Sequence, residues 1–173
     1  QTVTQDWGLS GNYHEFGFGL PSDSEGNMYI SLNVGFWNPH WWHGKSRAPY
    51  RGWVLRVAPD GTVTPIAGGL RSPAGMGFLE DGRLLVTDNQ GDWMAVCPVY
   101  AIEEGAYYGH PASSRWYEGQ VNIEPSDTLP IKRKREHPAL WLPYQWSRST
   151  GNVIQDKTGG PFDGQYFIAE LTN

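Results

Sequence analysis

An all-β fold is predicted for this 173-residue chain, and three observations carry the prediction. Short apolar segments recur, each entered from a turn that ends in glycine. Aromatic and turn-forming residues are abundant, with nine Trp, nine Tyr, 22 Gly and 13 Pro, as short strands and many turns require. No segment sustains a 3.6-residue apolar period between capping residues, so nothing argues for a helix.

Taken in order, the first unit is Asp23-Ser24-Glu25-Gly26 followed by the strand Asn27-Met28-Tyr29-Ile30. A second hairpin follows, Trp53-Val54-Leu55-Arg56-Val57, then Pro59-Asp60-Gly61, then Thr62-Val63-Thr64-Pro65-Ile66. It reads as an outer strand pair added to an inner pair near 17–33. Asp81-Gly82 then turns the chain from Gly75-Met76-Gly77-Phe78 into Arg83-Leu84-Leu85-Val86-Thr87, an apolar run expected to be buried on both faces. Asp163-Gly164 repeats the design before Gln165-Tyr166-Phe167-Ile168. Repeats of this kind, too widely spaced for uninterrupted blades of ~40–50 residues, predict a β-propeller of four-stranded antiparallel blades carrying insertions. About three blades fit. The units fall near 11–70, 71–111 and 145–173, with insertions at 36–53 and 115–143. Six blades of ~45 residues need ~270, so the rest of the ring is expected to lie elsewhere in a longer protein.

Composition narrows the function. A formal charge of −5 argues against nucleic acid as a general partner, and the run Lys132-Arg133-Lys134-Arg135 reads as a solvated face. No apolar run reaches the ~18 residues of a transmembrane helix, and no export signal is visible at the first residues. Cys97 is the only cysteine, which excludes an intrachain disulfide and reads as a buried thiol. His40-Trp41-Trp42-His43 offers two imidazoles without an evident third ligand, so a loop of stacked rings, with Trp37, explains it better than zinc.

The chemistry concentrates at Asp88-Asn89-Gln90-Gly91-Asp92, directly after a strand. Loops at strand ends of a rigid scaffold are common ligand sites, and carbonyls around Gly91 with the Asp88 or Asp92 carboxylate would suit calcium, which takes six to eight oxygens. The same residue types also make a plain glycine turn with solvated acids.

Three segments resemble the quinoprotein glucose/sorbosone dehydrogenase family of six-bladed propellers. Leu70-Arg71-Ser72-Pro73-Ala74-Gly75 is similar to its Arg-Asn-Pro-Gln-Gly turn, Gly105-Ala106-Tyr107-Tyr108-Gly109-His110-Pro111 to its Gly-x-Asn-Tyr-Gly-Trp-Pro segment, and Tyr13-His14-Glu15-Phe16-Gly17 to the segment holding its catalytic histidine. The resemblance implies pyrroloquinoline quinone (PQQ) and calcium as cofactors. It implies a sugar or alcohol substrate, a cytochrome as electron acceptor, and a periplasmic or secreted setting. His14 would be the general base, a role suited to a side chain of ordinary pKa near ~6.5. The competing reading is a histidine hydrogen-bonded at a strand start. Arg71, Ser72 and Gly75 would contact the quinone, and Gly91, Asp88 and Asp92 would hold the metal. Ser72 and Ala74 stand where the family has amides. Two other functions compete: a lactonase-like propeller whose metal is held by Asp88 and Asn89, and a non-catalytic binding module.

Overall fold

The computed structural model describes residues 2–9, 11–34, 48–91, 93–117 and 134–171, and there the chain is all-β apart from one 3-10 helix, Pro111–Trp116. The first sheet runs β1 (Gly17–Ser22), β2 (Met28–Leu32), β3 (Trp53–Val57), β4 (Val63–Gly68). The second runs β5 (Pro73–Phe78), β6 (Leu84–Asp88), β7 (Cys97–Ala101), β8 (Leu140–Leu142). The third pairs β9 (Thr150–Gln155) with β10 (Tyr166–Glu170). All pairings are antiparallel and follow chain order, as in propeller blades. This is a partial propeller: two four-stranded blades and a strand pair of a third.

Local chemistry explains the strand ends. Asp23, Asp60 and Asp81 each accept a backbone N–H two residues on, from Glu25, Thr62 and Arg83, closing the turns read from sequence. β8 comes from 140–142, within the stretch read as an insertion. Its Leu-Trp-Leu triplet is too short to show a period, and a long connection separates it from β7. The two histidines of the aromatic loop, together with Trp37, Trp41, Trp42, Lys132 and Arg133, lie outside the described residues.

The first strands of successive sheets pack side by side, β1 on β5 and β5 on β9. Glycine makes the second contact so close: a Cβ on Gly75 would collide with the Asn152 backbone, and one on Gly77 would stand 2.6 Å from the Val153 carbonyl oxygen. Thr87 Oγ1 reaches across the same seam to the Gly151 carbonyl at 2.7 Å. Between the first two sheets, Val54, Leu70, Met76, Val86, Tyr100 and Tyr108 form a buried core. The 105–111 segment is structural here. Tyr108 N–H donates to Gly68 O (2.9 Å), and its hydroxyl donates to Ala101 O (2.7 Å). Burial pushes that phenol up to about 12, so it keeps its proton and remains a donor. A second cluster of Leu32, Trp53, Leu55, Tyr107 and Tyr117 is closed by Trp53 Nε1–H donating to Ser113 O at 3.0 Å.

The seam predicts that Gly75→Ala lowers stability by about 1–3 kcal/mol through overpacking, while Gly160→Ala, in an exposed turn, stays within about 0.5 kcal/mol. Urea unfolding of both variants measures the difference.

Candidate functional site

One end of the sheets gathers the segment of His14, the Arg71–Ser72 turn, Asp88 and the Gln90–Gly91 turn. The starts of β1, β5 and β9 and the ends of β2 and β6 meet there, while the Asp-Gly turns occupy the other end. Hydrogen bonds stitch these ends together. Asn33 N–H donates to Phe16 O (2.9 Å), Val34 N–H to Arg71 O (2.9 Å), and the Asn33 side-chain amide to Ser72 Oγ (2.9 Å). The segment carrying His14 and the turn carrying Arg71 are therefore tied through two consecutive residues, Asn33 and Val34.

The His14 segment is anchored from beneath. Glu15 and Arg51 form an ion pair at 3.3 Å with both side chains buried, and Arg51 Nη2 also donates to Gly8 O at 3.0 Å. Burial lowers the Arg51 pKa against the opposing pull of Glu15. His14, next in the chain, is half-buried; its N–H donates to Asn12 Oδ1 (2.9 Å), and its ring stands 4.2 Å from that of Tyr13 and edge-on to Phe16 at 6.1 Å.

Asp88 is fully buried at the end of β6, and its carboxylate accepts three backbone N–H groups. Oδ1 accepts from Ser72 (2.7 Å) and Asn89 (2.8 Å), and Oδ2 from Arg71 (2.8 Å). Burial pushes this carboxyl up to about 6, outweighing the three N–H donors and the nearby Arg71 charge, which pull it down. Thr150 Oγ1, from β9, is shared between Asp88 O (3.2 Å) and Asn89 Oδ1 (3.3 Å), extending the network to the third sheet.

Arg71 is half-buried, and its Nη1 donates to the Gln90 carbonyl at 3.0 Å. Gly91 adopts φ +144°, and a Cβ there would collide with the Arg71 guanidinium. The Gly91 carbonyl accepts from Met94 N–H at 2.9 Å. Cys97, also fully buried, accepts the Gln90 N–H at its Sγ (3.4 Å).

The residues expected to touch a quinone are thus placed differently from one another. Arg71 is at the gathered end with its guanidinium on the 90–91 turn. Ser72 is buried beside it and its hydroxyl is engaged by Asn33. Gly75 lies in the seam between β5 and β9. Arg71 and the His14 segment fit the need for a cation and a base at one end of a propeller. The described donors do not fit calcium. Asp88 is neither a ligand facing outward nor a solvated acid, because both its oxygens are turned onto backbone N–H groups. The Gln90 and Gly91 carbonyls already accept hydrogen bonds, and a guanidinium stands at the turn. Among the described residues no three His, Cys, Asp or Glu gather, and Asp92 lies outside them. The sequence reading missed Asn33, Thr150 and the Glu15–Arg51 pair. Only the pair left a signal: a charged residue beside the candidate base and an arginine leading into a strand.

The fold defines the class as β-propeller, and its particular likeness is to sugar dehydrogenases. Soluble aldose sugar dehydrogenase from Escherichia coli, solved in the apo form, superposes with a TM-score of 0.61 at 18% identity, over 90% of this chain and 48% of that one. Two glucose dehydrogenase structures also reach 0.61, one at 20% identity over 90% of this chain and 48% of its own. The other has 17% identity over 88% and 46%. The chain spans about half the length of these proteins. No family model and no curated protein matches the sequence.

Two measurements test this network. Glu15→Ala leaves a buried guanidinium without its counter-charge and is expected to cost about 3–5 kcal/mol, much of it recovered in Glu15→Gln/Arg51→Met; a double-mutant denaturation cycle reads both. Asp88 keeps its proton in the fold up to about pH 6, whereas an exposed aspartate releases it near 3.8. The folded state therefore binds the extra proton between these values, and the stability due to Asp88 is fully present below 3.8 and lost as pH rises through 6. The stability gap between wild type and Asp88→Asn should widen, on the order of 2 kcal/mol, from pH 7 to pH 4.5 in urea titrations.

Proposed function

We propose that the protein is a sugar or alcohol dehydrogenase of the quinone-dependent propeller kind. The observation that carries this reading is the pairing of the Arg71 turn with the His14 segment, through Asn33 and Val34, at one end of a fold shared with sugar dehydrogenases. PQQ, when bound, supplies the hydride acceptor. Arg71 would hold an anionic cofactor group, since a planar guanidinium matches a carboxylate in two parallel hydrogen bonds. His14 would take the hydroxyl proton of the substrate on a ring nitrogen as the carbinol hydrogen leaves with its electron pair. The exposed rings of Tyr13 and Phe16 beside it offer apolar faces on which a sugar ring can stack. The reduced cofactor would pass its electrons to a cytochrome in a periplasmic or extracellular setting. Among the described residues no helix is long and apolar enough to cross a membrane. The lactonase reading has less support, because Asp88, its main ligand, is committed to backbone N–H groups.

The test is dye-linked oxidation of aldoses by the full-length protein supplied with PQQ. His14→Ala is expected to lower kcat about 10²–10⁴-fold with unchanged thermal unfolding, and Arg71→Ala to weaken quinone binding. Failure of the intact protein to bind PQQ in a fluorescence titration ends the reading and leaves the non-catalytic module in its place.

A further inference from the structure

We propose that the Arg71 guanidinium is the resident cation of the Gln90–Gly91 turn, a side chain standing where the sequence offers a divalent metal site. Among the described residues, the carboxylate and the two carbonyls such a metal would draw on each have another partner. The Gln90 carbonyl accepts from Arg71 Nη1 at 3.0 Å, and the Gly91 carbonyl accepts from Met94 N–H at 2.9 Å. The Asp88 carboxylate accepts the backbone N–H groups of Arg71, Ser72 and Asn89. Both oxygens of Asp88 are taken by backbone N–H groups and each carbonyl already holds a donor, so a hard cation would compete with these contacts for the six to eight oxygens it requires.

The shape of the turn points the same way. Gly91 lies at φ +144°, a conformation that side chains other than hydrogen resist, and the space a Cβ would fill is taken by the guanidinium. Glycine at this position therefore serves as the seat of an arginine. Arg71 is held at both ends, with its backbone N–H on Asp88 Oδ2 and its guanidinium on Gln90 O. A dication entering the turn would face this fixed positive charge at close range. Positive charge at the site is thus built into the chain and cannot be removed by a chelator, and Gly91 is a positioning residue for Arg71.

The experiment is a calcium titration of the intact protein, read by calorimetry and by thermal unfolding, with no quinone or substrate present, so it stands apart from the proposed activity. Expected are no binding heat up to millimolar calcium and a Tm that moves by less than about 1 °C with either calcium or EDTA. In Arg71→Ala the Tm should fall and be restored in part by about 10 mM ethylguanidinium, which refills the seat, but not by calcium. Stoichiometric calcium binding to the wild type, a Tm lowered by more than about 3 °C in EDTA, or rescue of Arg71→Ala by calcium rather than ethylguanidinium would overturn the proposal. Should Arg71→Ala not fold, the wild-type titration decides alone.

Discussion

One buried carboxylate organises the gathered end of this molecule. Asp88 terminates β6, and its two oxygens collect backbone N–H groups from the connection ahead of β5 and from its own strand end. Without this acceptor the backbone N–H groups of Arg71 and Ser72 would lose the carboxylate they share in the connection ahead of β5, and Asn89 N–H would keep only Ser72 O at 3.3 Å. Burying an ionisable group is costly, and the raised pKa reports that cost. The fold keeps it because it fixes Arg71 and Ser72 relative to β6, and through Asn33 and Val34 fixes the first sheet relative to the second.

From that constraint the rest of the site follows. With the Arg71 backbone pinned to Asp88, its side chain can reach the 90–91 turn, which must then be glycine where the two meet. On the other side, the Glu15–Arg51 pair does for the His14 segment what Asp88 does for the arginine turn: it converts a loop into a part of the scaffold. Both devices put charge in the interior, and each leaves a neighbouring chemically capable side chain half-exposed.

The glycine turns were legible because three of them, at Asp23, Asp60 and Asp81, are a local code: a carboxylate accepting an N–H two residues on needs no distant partner. β8 was not legible, because its pairing with β7 rests on contacts across a long connection. Of the candidate site, the segments to look at were legible and their contacts were not: the segment carrying His14 and the turn carrying Arg71 lie at one end of the sheets, tied by Asn33 and Val34. An aspartate at a strand end beside Asn-Gln-Gly looks alike whether it serves a metal or backbone N–H groups, so the three N–H groups that Asp88 accepts were not legible. The close approach of β9 at Gly75 was not legible for a related reason, since a glycine that lets a ligand approach and one that lets a neighbouring strand approach are the same letter.

The position of Cys97 has a practical consequence. It is the only thiol in the chain, it is fully buried, and its sulfur accepts the amide of Gln90 in the turn that seats Arg71. A thiol reagent can reach it only when that segment opens, so the rate of labelling in the native state is a clock for local opening of the turn.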